Sequence, residues 1–371
     1  MNKLRIALLT SSRADYGIYQ PLLKVMHKDP FFDVHILAFG THLSESHGKT
    51  ISEIRDSGFQ VDHAIDTMPE SDSPGAIARA MGKTMTAFSE IWEKSSYDLI
   101  VALGDRYEMF AAVSSSVAFG IPVAHIHGGE TTLGAIDNAF RNSITHMAAM
   151  HFVTTDEYAQ RVAALTGATE DIHKVGALSI DNLASLPLLD KQSFLAQFGI
   201  DLSKPTILIT FHPETVAYER NAVFADELIA ALESIEGYQL VITMPNADTM
   251  GNLIREKFSG FISRTSNAFG VESFGALGYL SCMKHCSLML GNTSSGFVEA
   301  AYFPKYVINL GNRQSGRILS ANIRNCEIDR HAIVAAVNEY ATAQLPANID
   351  IYGAGDAAGR ICSILKSKFS D

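Results

Sequence analysis

Short runs of β-branched and aliphatic residues alternate with helix-patterned stretches almost from end to end of this chain, and that alternation limits the available folds more than any other feature. In the first half, LRIALLT, DVHILAFG, YDLIVALGD and IPVAHIHGG read as strands buried on both faces, each closed by glycine or a polar turn. SPGAIARAMGKTMTAFSEIWEK and DNAFRNSITHMAAM read as helices between them. The second half repeats the grammar with TILITFHPE, YQLVITMPN, SLMLGNTSS and KYVINLGNR as strands. After Asn221, the apolar Phe224, Leu228, Ile229, Leu232 and Ile235 fall on one helical face. The pattern predicts parallel sheets with crossover helices. A chain of 371 residues exceeds one ordinary core and fits two domains. SLPLLDKQSFLAQFGIDLSKP, with proline near both ends, reads as the linker and places the boundary near residue 185. The expected fold class is α/β, with two Rossmann-like doubly wound domains facing each other across a cleft. Ligands of such sheets bind outside the carboxyl ends of the strands, so the loops there are where chemistry is sought.

Charge narrows the partners. Lys and Arg number 29 against 40 Asp and Glu, a formal charge of −11, which argues against a general electrostatic grip on nucleic acid or a membrane surface. A small anion held by a few arginines and helix N-termini stays compatible. Four cysteines, at 282, 286, 326 and 362, form no CxxC pair and no disulfide framework, which predicts a reducing, cytoplasmic setting. The opening MNKLRIALLTSSRADYG has too short an apolar run for a signal peptide, and no stretch approaches the roughly 18 apolar residues of a membrane span. The chain is expected to be soluble.

Five loops carry candidate chemistry. SSRADYG follows the first strand, before a helix expected near Ile18; Arg13 and the helix N-terminus suit a phosphate, while an N-cap with a surface ion pair is the plainer alternative. In GDRYE, Asp105 ends a buried strand beside Arg106; burial raises a carboxyl pKa and an arginine lowers it, so its protonation is tunable, unless it simply caps the next helix. In AHIHGGETTLGAID, His125 and His127 alternate on a strand and so share a face, with Glu130 past a Gly-Gly turn and Asp137 ahead of a helix. HxH with a carboxylate can bind zinc, but no third firm ligand can be assigned, so no metal is expected. Core hydrogen bonding for each histidine and capping for Asp137 are the plainer alternatives.

In TFHPET, His212 before a proline must leave its strand sharply, which suits a diphosphate partner or a proton carrier. GNTSSGFVEAAYF and the INLGNRQSGR after it are the most specific of the five. Ser294, Ser295 and backbone N–H groups suit an anion, Glu299 one to two turns into a helix suits a ribose diol, and Arg313 and Arg317 suit phosphate. Acid and base groups thus gather in the first half and diphosphate and ribose groups in the second, the division expected of a nucleotide-sugar enzyme.

Taken together in order, SRADYG, LGDRYE, HIHGGE…ID, FHPET, GNTSSG…E, INLGNRQ and the terminal IYGAGDAAGRI resemble the UDP-N-acetylglucosamine 2-epimerase family, in its hydrolysing branch that feeds sialic acid and related nonulosonic acids. The likeness runs from about residue 5 to 368. It implies a glycosyltransferase-B-like fold, with residues 1–184 and a returning helix 355–371 in the first domain and a UDP-binding domain at 185–354. It implies a reaction needing no metal or cofactor, in which UDP leaves to give a 2-acetamidoglucal and water then yields N-acetylmannosamine. By motif, Arg13 would meet the nucleotide or its phosphates, Asp105 and Asp137 would serve C2, and Arg106 would hold the substrate. His212 would face the diphosphate, Ser294 and Ser295 would bind phosphate, Glu299 the ribose and Arg313 the nucleotide. The family likeness also implies a homo-oligomer, a dimer or tetramer, for which AFRNSITHMAAM is either interface or core.

One departure stands out. Many members have HxE where this chain has His125-Ile126-His127, so proton transfer falls to His127 itself, to Glu130 or to Asp137. The leading expectation is hydrolytic 2-epimerisation of UDP-N-acetylglucosamine. UDP-N,N′-diacetylbacillosamine, on the legionaminic acid route, is the alternative substrate. Outside that chemistry stand a non-hydrolysing epimerase, a glycosyltransferase on the same scaffold and a catalytically dead nucleotide-sugar binder.

Overall fold

The computed structural model describes residues 3–45, 48–71, 73–131, 133, 136–214, 218–245, 251–303, 305–341, 343–344 and 351–370. Two parallel-sheet α/β units account for them. The first comprises residues 1–130, 137–184 and 351–371, and the second residues 131–136 and 185–350.

The first sheet holds β1 (Leu4–Thr10), β2 (Phe32–Phe39), β3 (Val61–Ile65), β4 (Leu99–Leu103), β5 (Val123–Ile126), β6 (Met150–Val153) and β7 (Ile172–Lys174), in the order β3-β2-β1-β4-β5-β6-β7 and parallel throughout. Alternate residues of β1 serve two cores. Leu4, Ile6 and Leu8 pack with Tyr16, Tyr19 and Leu22 of the helix Arg13–Lys28 and with Ile361 and Leu365 of the helix Ala357–Phe369. Ala7 and Leu9 pack with Phe88 and Trp92 of the helix Pro74–Lys94 and with Met109 and Val113 of the helix Tyr107–Ser116. Burial on both faces is why these strands read as unbroken apolar runs.

The second sheet holds β8 (Thr206–Thr210), β9 (Gln239–Thr243), β10 (Ala268–Val271), β11 (Leu288–Gly291), β12 (Tyr306–Leu310) and β13 (Ile323–Cys326), in the order β10-β9-β8-β11-β12-β13, again all parallel. The face read after Asn221 is buried, although its helix stops at Leu232 and Ile235 lies beyond it. The helix Lys191–Phe198 occupies much of the stretch read as a linker. DNAFRNSITHMAAM is a helix only over Asp137–Met147, and its last residue opens β6.

Each sheet reverses its strand order once, between β1 and β4 and between β8 and β11. Such switch points open a crevice at the carboxyl ends of the strands. The SSRADYG and GDRYE loops flank the first, and the FHPET and GNTSSG loops flank the second.

Candidate active site

After β1 the chain turns directly into the helix Arg13–Lys28, five residues earlier than expected, because a capping box starts it. Ser12 is the N-cap and accepts from the Asp15 N–H at 3.3 Å, while the Asp15 carboxylate accepts from the Ser12 N–H and from the Ser11 N–H and hydroxyl at 2.9 and 2.8 Å. The Thr10 hydroxyl also donates to Asp15. Behind Thr10, fully buried His42 places Nε2 2.9 Å from the Thr10 hydroxyl and Nδ1 2.9 Å from that of Thr50, and burial lowers its pKa. The network fixes the turn and leaves Arg13 exposed at the first helical position. A cation there opposes the helix dipole; the charge it answers is that of Glu53, whose carboxyl pKa is raised by burial and lowered in part by Arg13.

After β4, Asp105 does not cap the next helix; Arg106 stands at that cap position. Arg106 forks onto buried Glu108 at 3.1 and 3.2 Å. The guanidinium bonded to Asp105 belongs to Arg141, which is 3% exposed and also donates to the Glu130 carbonyl at 2.9 Å. Asp105 is thus bonded by an arginine 36 residues away in the chain. Arg141 rides on the helix that Asp137 opens, one turn after it.

His125 spans this corner from inside β5. Its Nε2 donates to the Gly104 carbonyl at 2.8 Å and its Nδ1 lies 3.1 Å from the Thr145 hydroxyl. Full burial pushes its pKa down to about 3, so it is neutral and holds the Asp105 loop against the Arg141 helix. His127 does not share that face, because β5 ends at Ile126 and His127 turns out of it with φ +66°. That left-handed backbone costs a non-glycine residue about 1–3 kcal/mol, a strain found at functional sites. It brings Nδ1 to 2.7 Å from Glu130 Oε1, with Glu130 3% exposed. His127 Nε2 is buried and has no hydrogen-bond partner among the described residues. Glycine is required at 129, where φ is +76° and a Cβ would strike the Tyr158 carbonyl.

In the second unit Asn292 is the hub. Fully buried after β11, its side chain accepts from the His212 N–H at 2.7 Å and donates to the His212 carbonyl at 2.8 Å, prolonging β8 in imitation of a strand partner. Its own carbonyl accepts from Arg313 at 3.3 Å and Gln314 at 2.8 Å. Gly291, with φ +140°, lets this turn pass against the Thr210 carbonyl, where any Cβ would collide. Ser295 lies 2.6 Å from the Tyr279 hydroxyl, which continues to Thr210 and Thr243. Burial lifts Tyr279 to about 12, so it stays a neutral donor. Ser294 is exposed in a 3-10 turn, Ser294–Gly296, and Glu299 is the first residue of a four-residue helix, not one to two turns into a longer one. Arg317 is buried in the same loop as Arg313.

The first unit therefore joins Asp105, Glu130 and His127 through Arg141 and backbone, with Asp137 on the Arg141 helix. The second joins His212, Arg313 and Ser295 to one turn. Sequence reasoning passed over Asp15, His42, Arg141, Asn292 and Tyr279; only Asp15 left a local signal, its position three residues after the N-cap serine. Among the described residues no group of three or more His, Cys, Asp or Glu side chains is placed to hold a metal ion.

Residues 24–366 match the family described as UDP-N-acetylglucosamine 2-epimerase. The chain is 31% identical over 366 residues to the UDP-N,N′-diacetylbacillosamine 2-epimerase (hydrolyzing) of Legionella pneumophila, covering 98% of this chain and 96% of the relative. It is 31% identical over 335 residues to the polysialic acid biosynthesis protein P7 of Escherichia coli, covering 90% and 85%. The crystal structure of UDP-GlcNAc 2-epimerase from Neisseria meningitidis bound to UDP-GlcNAc superposes with a TM-score of 0.82 at 16% identity, over 98% of this chain and all of that one.

Proposed function

The chain belongs to the UDP-N-acetylglucosamine 2-epimerase family, and from that premise we propose that it converts UDP-N-acetylglucosamine and water into N-acetylmannosamine and UDP. It is an enzyme, a hydrolysing 2-epimerase acting on a UDP-sugar. One observation carries the reading to the residues. Acid and base groups gather at the carboxyl ends of β4 and β5, and anion donors gather at those of β8, β11 and β12.

The C2 hydrogen has no neighbouring carbonyl and becomes acidic only as the C1–O bond breaks. In the first step that bond's electron pair leaves with UDP while a base takes the C2 proton, giving a 2-acetamidoglucal. Water then adds its hydroxyl to C1, and a proton reaches C2 from the opposite face. The reaction needs bases beside C2 and cations on the departing diphosphate. We assign the proton transfers to Asp105, Asp137 and the His127–Glu130 pair. Glu130 Oε1 lies 2.7 Å from His127 Nδ1, and His127 Nε2 has no hydrogen-bond partner among the described residues, which suits it to exchange a proton with substrate. Arg13 and Arg106 hold substrate; His212, Ser294, Ser295 and Arg313 meet the diphosphate; Glu299 accepts from the ribose.

UDP-N,N′-diacetylbacillosamine is the second reading, favoured by the name of the Legionella relative. The enzyme is further assigned to the cytoplasm, supported by four free cysteines, and to a dimer or tetramer, which light scattering tests. No helix among the described residues is long and apolar enough to cross a membrane.

Incubation with each UDP-sugar in deuterated water tests the reaction. Deuterium at C2 of a free mannose-configured sugar, with UDP released, is expected for the true substrate. Release of an inverted UDP-sugar, or transfer to an acceptor without exchange at C2, would sink the reading.

A further inference from the structure

The helix that begins at Arg13 contains Pro21. Proline has no N–H, so the carbonyl four residues earlier, that of Gly17, loses its partner within the helix and is pushed outward by the ring. A carbonyl freed in this way needs a donor from elsewhere. It receives one from Asn182, whose Nδ2 donates to the Gly17 oxygen at 2.6 Å. Asn182 is 6% exposed and lies on the helix Leu178–Ser185, the last element of the first unit before the chain passes into the second.

The neighbouring residue on that helix grips another element. Asp181 accepts from the N–H groups of Ala357 and Ala358, at 3.0 and 2.8 Å, and so holds the start of the returning helix Ala357–Phe369. That helix packs in the same core as the helix Arg13–Lys28. The first turn of the Arg13 helix is thus fixed from two directions. Ahead of it, Asp15 organises Ser11 and Ser12; one turn behind Arg13, Asn182 holds the Gly17 carbonyl. The proline removes one bond of the helix where a side chain stands ready to take the freed carbonyl.

We propose that Asn182 is a positioning residue for catalysis, setting the stance of Arg13 toward substrate by holding the Gly17 carbonyl that Pro21 releases. The proposal rests on the assignment of Arg13 to substrate binding. Asn182 reaches the reaction through Arg13 and touches no reacting atom.

Steady-state UDP release and thermal midpoints of the full chain test it, in Asn182→Ala, Arg13→Ala, the Arg13→Ala/Asn182→Ala pair and the Pro21→Ala/Asn182→Ala pair. Asn182→Ala is expected to lower kcat/KM about tenfold, mainly through KM, as small misplacements of a binding group do. Pro21→Ala gives Gly17 an intrahelical partner but not the tie to the helix Leu178–Ser185, so the double variant should regain the thermal midpoint while kcat/KM, which depends on that tie, stays low. It also supplies a folded protein should Asn182→Ala alone not fold. In the Arg13→Ala background, Asn182→Ala should change kcat/KM less than about twofold, because the two act through one group. Recovery of kcat/KM together with the midpoint, or a full tenfold loss without Arg13, overturns the positioning role. Loss of activity in Arg13→Ala with none in Asn182→Ala overturns the proposal alone, whereas parental kinetics in Arg13→Ala overturn the Arg13 assignment itself.

Discussion

Acid should weaken the first unit through its buried histidines, and the size of the effect follows from two pKa values. His125 is held at about 3 and His151 at about 4, both by burial, against about 6.5 in an unfolded chain. A folded pKa below the unfolded one means that the unfolded chain binds more protons in between, so stability rises with pH. The contribution is complete above about pH 6.5 and is lost as pH falls toward the folded values. Between pH 7 and pH 5 each histidine then removes about 2 kcal/mol of unfolding free energy. The chain has one tryptophan, Trp92, buried in the first unit with its indole N–H on the Ser115 hydroxyl at 2.8 Å. Urea unfolding followed by its fluorescence therefore reads the unit that holds both histidines. His125→Gln keeps an amide for the Gly104 carbonyl and removes one titration. Its loss of stability between pH 7 and pH 5 should be about 2 kcal/mol smaller than that of the parent. Parallel pH dependences, within about 0.5 kcal/mol, would refute a neutral buried His125 and with it the strut between the Asp105 loop and the Arg141 helix.

Two further outcomes concern the two ends of the substrate. His127→Gln and Glu130→Gln should each lower kcat about 10²–10⁴-fold with KM changed less than threefold, and the double variant should be no slower than the worse single, because the pair acts as one unit; stopped-time assays of UDP release check this, and multiplying losses would separate the two residues. Asn292→Ala leaves the His212 N–H and carbonyl without their shared side-chain partner, at a cost of about 2–4 kcal/mol for two buried groups. UDP titrated calorimetrically should then bind about tenfold more weakly, whereas unchanged affinity would detach His212 from the diphosphate.

The legible part of the fold was its interior. β1, β2, β4, β5, β8, β9, β11 and β12 are runs of apolar residues because neighbours flank them on both sides and both faces are covered. The strands not read from the sequence, β3, β7, β10 and β13, are the four sheet edges and only partly buried; β3, β7 and β13 carry polar residues among the apolar ones, and β10 is a four-residue stretch with a glycine in it. β6 is short, and its first residue, Met150, closed the stretch read as a helix, which in fact stops at Met147.

The same distinction governs the site. Loops with several unusual residues in a row, such as SRADYG and HIHGGE, mark themselves locally. What makes them chemistry is set by partners distant in the chain. Arg141 reaches Asp105 across 36 residues, Asn292 clasps His212 across 80, and His42 backs Thr10 across 32. No periodicity records such pairings. His127 shows the limit most sharply. Strand alternation would set His127 beside His125, but its left-handed backbone ends the strand one residue earlier and delivers the ring to Glu130. A carboxylate, that of Glu130, thus stands three residues on, 2.7 Å from the imidazole. A carboxylate acting through histidine can move a proton, so the proposed proton transfer at C2 asks of this pair only what an imidazole and a carboxylate supply together.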